Sequence, residues 1–303
     1  MIDWKTPELL RYKNLPVLVT GSTGFIGTRL IEVLNMLDAN VTQIARNQQI
    51  NNPRVVECDL TNHEACKTLI QGKSFEIIFH AAGWVSSDSS MGNITKANED
   101  NVIATLNLLE AATNSANKPK IVIPGSILEN SEIKNPYTVS KAAASLYADL
   151  YSSNYNTDIS KLMICLTYGP NQKLNSLIPY TINSLNTARG SIKLKLDRSL
   201  DVLFVDDVIN ALLKAGLATN SISPIYIGTD EPLTVKDVTT SIAKLMNKDP
   251  DLIEFESVDY QHETILSTEN MADAKTSLGW TPAWSLSRGL EKTIAWYIED
   301  SKL

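Results

Sequence analysis

The chain is poor in cysteine and histidine, short of basic charge, and without a long apolar run. Its three cysteines, Cys58, Cys66 and Cys165, are too few and too odd in number for a disulfide framework, so buried free thiols are expected. The three histidines, His63, His80 and His262, show no metal-ligand spacing with the cysteines, and no metal is expected. No apolar stretch reaches the ~18 residues that would span a bilayer, and the opening MIDWKTPELLRYKNLP has no apolar signal core. A reduced cytoplasm is the expected compartment. Lys and Arg number 27 against 34 Asp and Glu, a net charge of −7, and the lysines are scattered. That balance argues against a nucleic-acid partner.

What remains is a chain of 303 residues that is 43% hydrophobic, enough for one large α/β domain or a domain with a smaller partner. Six β-like runs stand out: 16–20, 40–45, 54–58, 75–82, 120–126 and 159–166. Helical patterns lie between most of them. Ile26, Leu30, Val33, Leu34 and Leu37 recur at three- and four-residue steps, as do Val102, Thr105, Leu106, Leu109 and Ala112. Strands apolar on both faces imply a parallel sheet covered by helices, that is, an α/β doubly wound fold. After YGP at 168–170 the alternation breaks down. Residues 1–172 are expected to form the dinucleotide-binding domain and 173–303 mainly a smaller α/β substrate part, with segments near 201–230 returning to the first. The small, polar loop at 83–93 is either a mobile lid or a surface connection.

Between the first strand and the first helix lies TGSTGFIG, with Gly21, Gly24 and Gly27 three residues apart. Gly21 can take a positive φ in the turn. A bare Gly24 lets a diphosphate approach backbone N–H groups, and Gly27 lets the helix pack close to the strand. The helix N-terminus adds partial positive charge. Spaced as G-x-x-G-x-x-G, the run resembles the extended branch of the short-chain dehydrogenase/reductase superfamily, with its Rossmann-type sheet. The resemblance implies that Gly21, Thr23, Gly24, Phe25, Ile26 and Gly27 contact a nicotinamide dinucleotide. Arg46, where an acidic residue would bind the ribose of NAD, suggests a 2′-phosphate and hence NADP, with NAD the alternative. Asp59 and Leu60 match the family's adenine contact, Ala81, Ala82 and Gly83 its small-residue wall, and Asn101 its structural asparagine.

The fifth β-like run ends at Ser126, and PYTVSK follows eleven residues later with Tyr137 and Lys141 four apart. That spacing puts both side chains on one helix face, and Pro136 suits the helix start. A phenol with a reference pKa near ~10 is a poor proton exchanger at neutral pH, and a neighbouring ammonium is expected to lower it. Ser126 would hold a substrate carbonyl or hydroxyl beside the phenol. No other tyrosine has a lysine four residues on. In the family this trio is catalytic, and Tyr137 and Lys141 also meet the nicotinamide ribose.

Similarity to the extended branch continues through YGP with Tyr168 near the nicotinamide, LIPYTI, FVDDVINALL and LGWTP. The branch commonly acts on nucleotide sugars, and the resemblance implies Val85, Ser126, Ile127 and Asn175 on the substrate side. Leu200 stands where many members have an arginine, and YQHE at 260–263 has no arginine either. Those groups clamp a substrate diphosphate; Arg198, Arg189 or His262 could replace them. The acidic pair that follows the serine in 4,6-dehydratases is missing, although Glu129 lies three residues on. The expectation is an NADP(H)-dependent reductase of a nucleotide-linked keto-sugar, of the 4-keto-6-deoxy type. A nucleotide-sugar epimerase holding NAD, a reductase of a non-nucleotide carbonyl and a non-catalytic cofactor-binding regulator are the alternatives. A homodimer built on the helices near 98–115 and 137–154 is expected.

Overall fold

The computed structural model describes residues 1–46, 55–86, 88–132, 134–187, 191–196, 199–221, 224–257 and 271–300. Arg189, Arg198 and His262 lie outside the described residues. In chain order the strands are β1 (Pro16–Thr20), β2 (Asn40–Ala45), β3 (Val55–Glu57), β4 (Ile77–His80), β5 (Lys120–Ser126), β6 (Ile159–Ile164), β7 (Leu166–Tyr168), β8 (Ile192–Leu196), β9 (Ser199–Leu200), β10 (Val202–Phe204), β11 (Ile225–Ile227), β12 (Leu233–Thr234) and β13 (Ile253–Ser257). The helices are α1 (Phe25–Met36), α2 (His63–Gln71), α3 (Met91–Ala97), α4 (Ala104–Thr113), α5 (Pro136–Tyr155), α6 (Leu177–Thr187), α7 (Val205–Leu217), α8 (Val235–Leu245), α9 (Met271–Leu278) and α10 (Leu286–Asp300).

Seven strands form one parallel sheet in the order β11-β6-β5-β4-β1-β2-β3. This is the expected doubly wound architecture. All four residues of β4 are buried, as a central strand with helices on both faces requires. Leu30, Val33 and Leu34 of α1 and Val208, Ile209 and Leu212 of α7 cover one face. Leu69 and Ile70 of α2, Leu108 and Ala112 of α4, and Ala148 of α5 cover the other. The strand order reverses between β1 and β4, and a doubly wound sheet opens its binding crevice at such a point.

Three departures from the sequence pattern shape the site. The helix expected over 98–113 opens with a π-helical turn, Asn98–Ile103, before α4. Such a turn sits most often at functional positions, and here it buries Asn101. The run 159–166 breaks at Cys165. The Cys165 N–H bonds Ile227 O in the main sheet (3.0 Å), whereas the Leu166 N–H bonds Asp201 O (3.0 Å). The chain thereby leaves β6 and pairs β7 with β10. The later segments also hold short strands that the sequence pattern did not mark: β9 pairs β12, and β8 pairs β13.

Asp207 explains why FVDD and LGWTP occur together. Its carboxylate accepts the Ala283 N–H at 2.8 Å and the Trp284 N–H at 3.1 Å, and its carbonyl accepts the buried Trp280 indole N–H at 3.0 Å. Burial pushes this carboxyl up to about 6 despite those donors. Its neighbour Asp206 accepts from Arg29 of α1 at 2.7 Å and from Lys292 of α10 at 3.4 Å. All three cysteines are buried and free. Among the described residues no helix is long and apolar enough to cross a membrane.

Candidate active site

At the end of β1 the chain turns tightly over Gly21, whose φ is +64°, a conformation that excludes ordinary side chains. A Cβ on Gly21 would lie 2.5 Å from Ala81 O, one on Gly24 would lie 3.2 Å from Gly21 O, and one on Gly27 only 2.1 Å from that same oxygen. The turn is thus pressed between α1 and the residues after β4. Gly24 is the N-cap of α1 and gives it no side-chain cap, so the first helical N–H groups remain available to an anion.

A cavity of about 390 Å³ opens here, lined by Gly21, Thr23, Gly24, Arg46, Asp59 and Leu60 among others. The Arg46 guanidinium is half-exposed and pairs with the buried Asp100 carboxylate at 2.8 Å, which Lys96 also meets at 3.2 Å. Asp59 accepts from the Thr61 N–H and hydroxyl, at 3.0 and 2.9 Å. Ala81, Ala82 and Gly83 line this cavity and also a second one of about 280 Å³. The two are therefore halves of one trough along the carboxyl edge of the sheet. A cradle that any Cβ would fill, an uncapped helix start and a wall of small residues fit a dinucleotide.

The wall is held from behind. Neutral imidazole at His80 bridges Thr20 Oγ1 (3.0 Å) and Thr105 Oγ1 (2.9 Å). Desolvation and then the Lys141 charge push His80 down to about 3, so it carries no proton to the reaction at neutral pH. Asn101 accepts the Trp84 N–H at 2.6 Å and donates to Trp84 O and Ser140 Oγ at 3.0 and 2.8 Å. It ties the loop after β4 to α5, and a Cβ on Gly83 would sit 2.9 Å from its oxygen.

The second half of the trough brings Ser126, Tyr137 and Lys141 together, with Phe25, Ile26, Val85 and Ile127 in the same wall. Ser126 ends β5 and caps the 3-10 turn Ile127–Asn130. Asn135 caps α5 with Pro136 in its first turn, so the helix starts one residue before Tyr137. The electrostatics differ from the expected lowering of the phenol by the lysine. Desolvation dominates and pushes the Tyr137 phenol above its ordinary value; a hydrogen bond with the Ser126 side chain opposes this, and the Glu129 carboxylate adds to it. Lys141 instead donates to Pro124 O at 3.0 Å, and burial pushes its ammonium down while Glu129 supports the charge.

Two expected site residues lie outside the described lining of the trough. The Tyr168 ring is buried (2% exposed), stacks edge-on against Phe204 and donates to Leu286 O at 3.2 Å. It packs the core instead of lining the trough, because β7 has already turned toward β10. Asn175 is exposed ahead of α6 and is not among the described residues that line the cavity. A residue not anticipated is Gln172. It lines the cavity, its amide N–H donates to Thr167 O at 2.9 Å, and its buried Oε1 has no partner among the described residues. Its position just after YGP was the available signal. Leu200, in the arginine position, is itself part of the cavity wall, beside Leu166 and Ile164.

Comparison with known proteins agrees with this geometry. Residues 17–227 match the sequence model of the NAD dependent epimerase/dehydratase family. The chain is 26% identical over 293 residues to a CDP-abequose synthase of Salmonella typhimurium, covering 92% of this chain and 97% of that protein. It is 25% identical over 324 residues to a trifunctional UDP-glucose 4,6-dehydratase/UDP-4-keto-6-deoxy-D-glucose 3,5-epimerase/UDP-4-keto-L-rhamnose-reductase of Arabidopsis thaliana. That match takes in 95% of this chain but 48% of the relative, so the chain spans about half its length. A solved UDP-glucose 4-epimerase of Thermotoga maritima shares the fold with a TM-score of 0.82 at 21% identity, over 95% of this chain and 100% of that one. With the sheet, the glycine turn and the matched span in agreement, this chain belongs to the NAD dependent epimerase/dehydratase family and is an NAD(P)-dependent enzyme of the extended short-chain dehydrogenase/reductase type.

Proposed function

We propose that this protein is an NADP(H)-dependent reductase of a nucleotide-linked keto-sugar, of the 4-keto-6-deoxy type. The observation that carries the reading is the convergence of Ser126, Tyr137 and Lys141 on one cavity continuous with the glycine cradle. When bound, the dinucleotide supplies the hydride that reduces the substrate carbon. Ser126 donates to the carbonyl oxygen and orients it, and Tyr137 passes its proton to that oxygen as charge develops there. A buried phenol that keeps its proton suits this direction, whereas an epimerase must begin by removing a proton from a hydroxyl. Dehydration is disfavoured: Ile127 and Leu128 follow the serine, and both oxygens of Glu129 are occupied by Ser126 N–H and Ser145 Oγ. The apolar wall of Leu128, Ile164, Leu166 and Leu200 suits a deoxygenated carbon.

In this reading residues 1–172 hold the cofactor and 173–303 supply most of the substrate side, with β11 returning to the sheet. Leu200 in the wall favours one second reading, a non-nucleotide carbonyl substrate. The test is a panel of nucleotide keto-sugars and plain aldehydes and ketones incubated with NADPH. Net NADPH oxidation by the nucleotide keto-sugars is expected. Oxidation only by the plain carbonyls assigns the second reading, and isomerisation without net oxidation assigns an epimerase.

Arg46 is proposed to bind the 2′-phosphate of NADP. Arg46 and Lys96 face two carboxylates, Asp100 and Asp59, so the rim carries no net charge and the half-exposed guanidinium itself supplies the phosphate contact. Arg46→Ala is expected to weaken NADPH binding about 10–100-fold, the worth of a charge-assisted hydrogen bond, with NADH changed by less than about threefold. Equal losses in fluorescence titrations would refute the contact.

A homodimer is proposed through α5 and the neighbouring helix over 98–113, with α3 at the edge of the face. Val139, Leu146 and Leu150 of α5 and Met91 and Ile94 of α3 are apolar and exposed, Leu146 at 70%. Such a face is unusual on a monomer. Sedimentation is expected to show a dimer for the native chain and a monomer for Leu146→Glu. The three buried free thiols suit the reducing cytoplasm proposed as its compartment.

A further inference from the structure

Glu129 is a buried carboxylate (6% exposed) immediately behind the reacting serine. One oxygen accepts the Ser126 N–H at 2.8 Å, and the other accepts the Ser145 hydroxyl in a short hydrogen bond. The side chain therefore bridges the end of β5, which carries Ser126, to α5, which carries Tyr137 and Lys141. In return the Ser126 hydroxyl accepts the Leu128 N–H at 3.2 Å, so its own proton stays directed to another acceptor. Space for the carboxylate comes from Gly125, where a Cβ would stand 3.1 Å from Glu129 Oε1 and 3.0 Å from Met163 Sδ.

A helix-turn cap has no need of a buried charge, because an amide or hydroxyl would serve. Desolvating a carboxylate is costly unless it is bonded and charge-balanced. Among the described residues, titratable groups near it come from three elements. From α5 come Lys141, Tyr137 and Asp149; from β6 comes the buried Lys161, which is neutralised by Asp149 with both oxygens at 2.9 Å. From β4, His80 faces Lys141 and is neutral. Glu129 supports the Lys141 charge through space, whereas Lys161 opposes it.

We propose that Glu129 is a positioning residue of the reaction: it clamps Ser126 to α5 and supports the charge of the buried Lys141 ammonium beside the Tyr137 phenol. This rests on the reading that Ser126, Tyr137 and Lys141 carry the chemistry. Burial is the larger influence on both groups; the carboxylate adds to the rise of the phenol and supports the lysine charge.

The test is Glu129→Gln, which keeps the acceptor for the Ser126 N–H and an amide opposite Ser145 but removes the charge. Tyrosine labelled with 13C at Cζ is titrated by NMR in the cofactor-free protein, with Tyr137→Phe identifying the resonance. Glu129→Gln is expected to move the Tyr137 titration down toward the ordinary phenol value, because a negative charge that raises it is removed. The alkaline limb of kcat moves in the same direction, with KM changed by less than about twofold. Ser145→Ala keeps the charge and is expected to leave the titration in place. An unchanged titration in Glu129→Gln, or an equal displacement in Ser145→Ala, reduces Glu129 to a structural cap and overturns the proposal. Full activity in Tyr137→Phe would instead sink the functional reading, while the titration still reports on Glu129.

Discussion

Replacing Tyr137 with phenylalanine is expected to lower kcat for the proposed keto-sugar reduction by about 10²–10⁴-fold, the contribution of a positioned general acid. The change removes one oxygen and keeps the ring that fills the cavity wall beside Ser126 and Lys141. Folding and cofactor affinity therefore stay close to those of the native chain, and the loss appears in kcat and kcat/KM together. The pH dependence carries a sign. Burial penalises the phenolate, so the phenol is raised and the donating form persists through neutral pH. Reduction is accordingly flat across neutrality and falls as pH rises toward and through the raised pKa. Steady-state rates of both proteins over a pH series check this. Native kcat in the variant, or a native rate that climbs steeply from neutral into alkaline pH, would remove Tyr137 as the acid.

Gly27→Ala costs about 1–3 kcal/mol of stability, the usual range for overpacking, and weakens cofactor binding at least about tenfold, the second as a consequence of the first. The new methyl would lie 2.1 Å from Gly21 O and 2.8 Å from Gly21 C. These are backbone atoms, which no rotamer change relieves. The turn cannot retreat, because Gly21 is already held at a positive φ with Ala81 O behind it. Helix α1 must move away from β1 or the turn must open, and either change displaces the N–H groups that face a diphosphate. Gly92→Ala is the control: nothing lies within 4 Å of its Cβ position, so α3 gains the helix propensity of alanine at no steric cost. Chemical denaturation and dinucleotide titration of the two variants read both effects. Equal stability of Gly27→Ala and Gly92→Ala would contradict the pinched turn.

The legible parts of this chain were those whose cause is local. Strand β5 was readable to the residue because Lys120–Ser126 is an apolar run bounded by turn chemistry. Helix α1 announced itself through Leu30, Val33 and Leu34 on one face. The end of β6 was not readable, since the break at Cys165 depends on whether Ile227 or Asp201 accepts the next N–H, and both lie far along the chain. The burial of Tyr168 was not readable for the same reason: its direction follows from β7 pairing with β10, not from the YGP sequence. Glu129 looked like a stray acid near a serine because its partners, the Ser126 backbone and Ser145, meet only when α5 docks on β5.

From its order of residues alone, the chain determined the doubly wound sheet, the glycine turn and the one helix face shared by Tyr137 and Lys141. Periodicity, turn geometry and the four-residue helical step act over a few neighbours and need no distant contact. Only the folded chain decided in which direction the Tyr137 phenol is shifted, that Lys141 is buried against Pro124 O, and that Gln172 joins the cavity wall. Those properties come from burial and Coulombic contact among residues brought together by packing, and neither quantity exists until the elements have assembled.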